Sequence, residues 1–225
     1  MSQHYILNIE TATKNCSVAI AKNGQTLLCK QVSELGYSHA EKLHVFIEDL
    51  MQELKLDFTA IAAVAVSQGP GSYTGLRIGV SAAKGLCFAL NIPLISVDTL
   101  QVLSSQLTIK EGLIIPMIDA RRMEVYSAVF NSKGEKIRGV EAEVIDEHSF
   151  NNFDEPLHFL GDCSEKCQTV LKNENFTFHT DCVYPSANEM GKLSYEKFTT
   201  QDFEDVAYFE PYYLKDFMIT VSKKQ

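Results

Sequence analysis

The densest run of residues able to do chemistry is Ser67-Gln68-Gly69-Pro70-Gly71-Ser72-Tyr73-Thr74-Gly75-Leu76-Arg77-Ile78-Gly79. It follows an apolar strand and opens a helix, the setting in which free backbone N–H groups and the helix dipole attract an anion. Spacing separates the phosphate-binding patterns. A Walker loop needs GxxxxGK[ST], but no glycine pair here is followed by that lysine, and Lys84 lies well inside the helix. The Rossmann fingerprint needs GxGxxG, whereas Gly69, Gly71 and Gly75 give GxGxxxG. Asp98, 23 residues past Gly75 at the end of the next strand, keeps a dinucleotide reading open as a runner-up. A third use is packing. Gly75, Gly79 and Ala83 recur every four residues on one helix face, with Ala82 beside them, and Gly85 and Ala89 form a second row. Small faces admit close approach, either by the helix's own sheet or by a partner helix.

Two acids, Glu10 and Asp119, end strands that look equivalent, and Asp119-Ala120-Arg121-Arg122-Met123-Glu124 adds charge to the second turn. Paired carboxylates across a duplicated fold could hold Mg²⁺ for a nuclease or a kinase. Acids at strand ends also cap turns and face water, the commoner case. His39 and His44 flank Glu41, but five residues leave two imidazoles about 140° apart round a helix, so this is no HExxH site. Cys163 and Cys167 form a CxxxC without a second pair, and the six cysteines read as reduced thiols, mostly small buried hydrophobes. No GxSxG elbow or triad context is present.

These groups must be carried by regular elements. Tyr5 to Ile9, Cys16 to Ala21 and Thr26 to Val32 read as strands, with Asn23-Gly24 as a hairpin turn. Ser38-His39-Ala40-Glu41 is a capping box opening a helix to about Leu56, with Leu43, Phe46, Ile47, Leu50, Met51 and Leu54 on one broad apolar face. A strand at 61–66, a helix from about Gly75 to Leu90 and a strand at 93–97 follow. Residues 113–145 repeat the opening: Leu113 to Asp119, Met123 to Phe130, the turn Lys133-Gly134, then Lys136 to Val144. A short strand at 158–160, a helix from about Ser164 to Lys172 and a second capping box at Ser186 and Glu189, starting a helix to about Phe198, complete the chain. The expectation is an α/β protein, a mixed sheet covered by helices and built twice, divided into residues 1–110 and a smaller 111–225.

Composition bounds the rest. Of 225 residues, 20 are Lys or Arg and 29 Asp or Glu, a formal charge of −9. Residues 1–112 hold 8 basic and 9 acidic side chains, and residues 113–225 hold 12 and 20. So acidic a chain is not expected to grip a phosphate backbone alone. The apolar runs are far shorter than the roughly 18 residues of a membrane span, and the start lacks a secretory pattern, so the expected compartment is the cytoplasm.

Together, Ile6-Leu7-Asn8-Ile9-Glu10-Thr11-Ala12-Thr13, Ser38-His39-Ala40-Glu41, Gly69 through Val80, and Asp119-Ala120-Arg121 with Glu124-Val125-Tyr126 resemble the TsaB (YeaZ) family of the glycoprotease-like group. Tyr184-Pro185-Ser186-Ala187 and Glu210-Pro211-Tyr212-Tyr213-Leu214 extend the similarity over nearly the whole chain. The resemblance implies two ribonuclease-H-like halves in an actin/Hsp70/sugar-kinase (ASKHA) fold. It also implies a role in making threonylcarbamoyladenosine at position 37 of tRNAs that read codons starting with A. In that family the transferase partner, TsaD, carries an HxxxH metal motif; the matching stretch here, Asp98-Thr99-Leu100-Gln101-Val102-Leu103, has no histidine.

The implied role is therefore a non-catalytic scaffold that binds TsaD, with a TsaE-like ATPase joining the assembly, a homodimer forming when the chain is alone, and tRNA met only through the complex. The expected interface is Leu43, Phe46, Ile47, Leu50 and Leu54 of the first helix with Gly75, Arg77, Gly79, Ala82 and Ala83 of the glycine helix. No cofactor or metal is expected beyond weak ATP or ADP binding within the complex, for which Glu10, Thr11, Gly69, Gly71, Ser72 and Asp119 are the residues to inspect. A stand-alone ASKHA-type ATPase or phosphotransferase using those residues is the alternative. The family's usual start has Asp where Glu10 stands, and the extra methylene is expected to move the carboxylate outward. The near-neutral half is expected to hold the partner interface and the acidic half to face solvent away from tRNA.

Overall fold

The computed structural model describes residues 3–33 and 39–214. Five strands, β1 (Tyr5–Glu10), β2 (Cys16–Lys22), β3 (Gln25–Val32), β4 (Ile61–Gly69) and β5 (Leu94–Asp98), form one sheet in the order β3-β2-β1-β4-β5. A second sheet holds β6 (Leu113–Asp119), β7 (Glu124–Asn131), β8 (Lys136–Val144), β9 (Leu157–Leu160) and β10 (Phe176–His179) in the order β10-β9-β6-β7-β8. The two orders are the same list read from opposite edges. In each sheet the first three strands are an antiparallel meander and the first, fourth and fifth are parallel. Glu10 and Asp119 are the last residues of the matching strands β1 and β6. The internal duplication read from the sequence is thus present strand by strand, and each half has the ribonuclease-H-like order.

Helices α1 (His39–Glu53) and α2 (Tyr73–Leu90) cover one face of the first sheet. Leu7, Ile9, Val18, Ile20, Val64 and Val66 of the strands meet Leu43, Ile47, Leu50, Val80 and Ala83 of the helices in one buried cluster. A sheet face and a helix stripe exclude water together, at roughly 25 cal/mol for each Å² of apolar surface removed. Ser38 of the first capping box lies outside the described residues. Helix α1 ends at Glu53, earlier than its apolar spacing suggests, because Lys55 adopts a positive φ of 53° and the Leu56 N–H closes on the Met51 carbonyl. Helix α2 starts at Tyr73 behind Ser72, whose hydroxyl accepts from Gly75 N, and ends at left-handed Asn91.

Three elements were not legible as regular structure. Helix α3 (Thr99–Ser104) is a single short segment started by Asp98, whose Oδ1 accepts from Leu100 N at 2.8 Å and Gln101 N at 3.2 Å. Strand β10 is four residues long, and a 3-10 turn at Phe58–Ala60 precedes β4. Helix α4 (Ser164–Gln168) stops short of the expected Lys172, and the chain tightens there into Thr169 N to Lys166 O and Val170 N to Cys167 O bonds.

The final helix, α5 (Met190–Thr199), follows a 3-10 turn at Ala187–Glu189 and packs on the first sheet, with Ala187 and Met190 buried against Ile6, Ala19, Ala63, Ala65 and Ile95. Beyond it, Glu204 bridges to the β5 edge at Leu94. Lys84 Nζ holds the Ala207 and Phe209 carbonyls at 3.0 and 3.1 Å, and Tyr212 N donates to Gln68 O at 2.7 Å. The chain that follows the second sheet therefore returns to brace the first.

Candidate functional site

The glycine loop is filled by the chain itself. Ser72 N donates to the Ala12 carbonyl at 2.6 Å, and Thr11 Oγ1 donates to the Gly75 carbonyl at 2.8 Å. A Cβ at Gly71 would overlap the Ala12 backbone, and one at Gly75 the Thr11 carbonyl. Gly69 has φ +112°, a conformation costly for an L side chain, and a Cβ there would stand 2.7 Å from the Tyr212 carbonyl. The close approach these glycines permit is thus taken by the β1–β2 turn and by the C-terminal strap at Tyr212. Thr11, Gly71 and Ser72 do come together, as the sequence grouped them, with Glu10 and Gly69 on the adjoining strands, whereas Asp119 ends β6 of the second sheet and is held by Lys166 and Asp162.

Glu10 corrects an expectation. Its carboxylate does not move outward: the side chain is completely buried, Oε1 accepting from Ala12 N at 2.6 Å. Burial outweighs that bond and pushes the carboxyl up to about 7. Ser67 on the neighbouring strand β4 faces this carboxyl and, with the Ala12 N–H, opposes the rise without cancelling it, while Asn8 Oδ1 on the same face of β1 has no hydrogen-bond partner among the described residues. A carboxyl with this pKa is about half protonated at pH 7, which is unlike the fully ionised carboxylate that binds a metal.

Asp119 is exposed and engaged: it pairs with Lys166, takes the Arg121 N–H at 3.0 Å, and its own N–H donates to Asp162 Oδ1 at 2.8 Å. Burial raises the Asp162 carboxyl, against the hydrogen bond from Asp119 N and with a smaller push from the like charge of Asp119. Asp98, the acid that kept the dinucleotide runner-up open, is spent capping α3 and pairing with Lys136 at 2.5 Å. Cys163 and Cys167 are buried in the second sheet's apolar cluster. Among the described residues no three His, Cys, Asp or Glu side chains gather as a metal site.

The expected interface is divided. Leu43, Ile47 and Leu50 are core residues of the first half, and Gly75, Gly79 and Ala83 face its sheet. A Cβ at Gly79 would overlap Thr11 Oγ1, so the small-residue row serves the chain's own β1 turn and not a partner helix. Those six cannot line a surface, because desolvating a sheet face consumes them. Phe46, Leu54 and Ala82 remain half-buried and Arg77 exposed. Arg77 stacks 4.2 Å from the Tyr73 ring centroid and reaches Tyr213 Oη at 3.3 Å.

What α1 and α2 offer outward was missed. Phe88 is 84% exposed and Val45 50%, and between the helices runs a shallow groove lined by His44, Ile78, Ser81, Ala82, Gly85 and Leu86. Phe88 is nine residues beyond Gly79, about 180° round the helix, so periodicity does place it on the opposite face. That signal was available in the wheel of α2 and was masked by the glycine row.

A family model described as TsaD, tRNA N6-adenosine threonylcarbamoyltransferase, matches residues 33–216. The chain belongs to that family. Within it, the similarity that runs end to end is to TsaB: the "tRNA threonylcarbamoyladenosine biosynthesis protein TsaB" of Bacillus subtilis is 28% identical over 223 residues, 93% of either chain. A tRNA N6-adenosine threonylcarbamoyltransferase of Halalkalibacterium halodurans is 39% identical, but over 107 residues, 41% of this chain and 31% of that one. YeaZ from Pseudomonas aeruginosa superposes with a TM-score of 0.82 at 23% identity, covering 94% of this chain and all of the other. The likeness to TsaB expected from the motifs is therefore carried by both sequence and fold. In this member of the TsaD family the glycine loop's backbone groups bind Ala12, Thr11 and Tyr212.

Proposed function

We propose that this chain is a non-catalytic, partner-binding subunit in tRNA threonylcarbamoyladenosine biosynthesis. Its part is to bind a TsaD-like transferase and hold it in its active arrangement. The observation that carries the reading is the outer face of α1 and α2, where Phe88 and Val45 stand exposed on the two helices that also line the groove of His44, Ile78, Ser81, Ala82, Gly85 and Leu86. The end-to-end likeness to proteins named for that biosynthesis supports the same reading. The filled glycine loop and the buried, only half-ionised Glu10 support a chain without phosphoryl chemistry of its own. On this reading nucleotide binds at most weakly and within the assembly, a TsaE-like ATPase joins it, and tRNA is met in the complex. Alone, the chain covers the same face by pairing with a second copy. The compartment is the cytoplasm, where tRNA is modified; no described helix is long and apolar enough to cross a membrane.

The test is co-purification with the cognate transferase. Phe88→Asp with Ser81→Glu places charge on the outer face without touching the core, and is expected to abolish the heterodimer while the melting temperature stays unchanged. Undiminished co-purification would remove α1 and α2 as the binding face. Calorimetry of the isolated chain with ATP and Mg²⁺ separates the stand-alone phosphotransferase, which requires tight binding and turnover.

A further inference from the structure

The chain has four arginines. Arg77 is held by Tyr73 and Tyr213, and Arg138 by Glu143, Ser127 and the Phe150 ring. The other two, Arg121 and Arg122, are adjacent at the tip of the β6–β7 turn, exposed, and neither guanidinium has a hydrogen bond or ion pair to a described residue. In the same half Lys136, Arg138, Lys166, Lys192 and Lys197 find carboxylates, while Lys133 and Lys172 form no ion pair to a described residue.

The turn itself is strained. Arg121 and Arg122 have φ of +75° and +56°, the left-handed region that L side chains with a Cβ occupy at a cost. The β2–β3 turn solves the same geometric problem with Asn23 and Gly24, at φ +50° and +86°. At Arg121 and Arg122 the strain is held by surrounding bonds. Ala120 N donates to Glu124 O and Glu124 N to Arg121 O, Arg121 N donates to Asp119, and Lys166 Nζ bonds both Asp119 and, at 2.6 Å, the Arg122 carbonyl. A turn kept in an unfavourable conformation with its two side chains unsatisfied is a presentation device for them.

The neighbouring acids are engaged: Asp119 pairs with Lys166, half-buried Asp162 accepts from Asp119 N, and exposed Lys14 on the β1–β2 turn is near enough to act on Asp162. With Lys166 spent on Asp119, Arg121 and Arg122 are, among the described residues, the turn's own unpaired cations, set against the carboxylates of Glu124, close to them in sequence, and Glu165, next to Lys166. Guanidinium forks match phosphate oxygens bidentately, which lysine does not. Resting on the function proposed above, and against the charge-based expectation that the acidic half faces away from tRNA, we propose that the Arg121–Arg122 turn contacts the phosphodiester backbone of RNA when the chain sits in its complex.

The experiment uses the full chain bound to its transferase and labelled, unmodified tRNA, with anisotropy read from 50 to 200 mM KCl. R121N/R122G replaces the strained pair with the turn chemistry of residues 23 and 24. The variant is expected to melt higher than the parent, to keep the heterodimer, and to bind tRNA about tenfold more weakly, with the salt slope reduced by about 1.5 for two lost phosphate contacts. A merely structural turn would gain stability and lose no RNA. Parental affinity and slope in R121N/R122G would overturn the proposal, as would loss of the transferase instead of the tRNA, which would assign the arginines to a protein carboxylate. Failure of the unaltered chain to bind the transferase would sink the proposed function first, and is seen before any arginine is changed.

Discussion

Thr11 Oγ1 donates a 2.8 Å hydrogen bond to the carbonyl of Gly75, across 64 residues of sequence, and the same hydroxyl fills the space in which a side chain at Gly79 would begin. Strand β1, its turn and helix α2 are locked by this contact. A methyl group on the inner face of α2 has to displace the turn, whereas Gly85, on the outer face, has nothing within 4 Å of a Cβ. Gly79→Ala is therefore expected to destabilise the fold by about 1–3 kcal/mol through overpacking. Gly85→Ala is expected to stabilise it by about 1 kcal/mol through helix propensity. Urea denaturation of both variants checks the opposite signs; equal effects would show that the Thr11 contact is loose.

The buried Glu10 carboxyl predicts a pH dependence of stability. Its folded pKa, about 7, lies above the unfolded 4.5, so between these values the folded state holds a proton that the unfolded state has lost. The sign follows from linkage: the contribution is favourable below pH 4.5 and is lost as pH rises toward 7. The full difference is on the order of 3 kcal/mol. Glu10→Gln keeps an acceptor for Ala12 N and removes the titration, so its stability relative to the parent is expected to rise steadily from pH 5 to pH 8. Parallel curves for the two proteins would mean that Glu10 is solvated.

Asp98 joins the two halves, capping α3 while pairing with Lys136 on β8. Asp98→Asn retains a cap and loses the ion pair; Asp98→Ala loses both. The Ala variant is expected to cost about 1–2 kcal/mol and the Asn variant about half of that or less, since Lys136 is partly exposed. Thermal melts at low and high salt separate them, because salt weakens the ion pair and leaves the cap intact.

The outer face of α2 predicts a binding phenotype without a folding one. Phe88→Ala alone is expected to weaken the heterodimer by tenfold or more, as an exposed aromatic anchor does, with no change in the unfolding midpoint. Isothermal titration against the transferase measures it.

Much of this was legible in order along the chain. Asn23-Gly24, the repeat of Ile9-Glu10 in Ile118-Asp119, and the strand–loop–helix around Gly69 are local signals, written in side-chain period and turn chemistry, and the duplicated sheets follow from them. The glycine row on α2 was legible as a close-packing face, but its partner was not. Whether small residues meet a sheet or another protein depends on what lies across from them, and for Gly79 that is Thr11, 68 positions away. The length of α4 and the existence of α3 and β10 were likewise decided by neighbours, since segments of four to six residues have too little periodicity to declare themselves.

The sequence by itself determined the family, the doubling of the fold and the residues gathered at the glycine loop, because motifs and periodicity are properties of consecutive residues. Only the tertiary structure decided how those residues are used. It buried Glu10 and lifted its pKa, filled the loop with Ala12 and Tyr212, turned Leu43, Ile47 and Leu50 into core, and left Phe88, Val45, Arg121 and Arg122 facing outward. Burial and charge pairing are fixed by contacts between distant segments, and those exist only once the chain has folded.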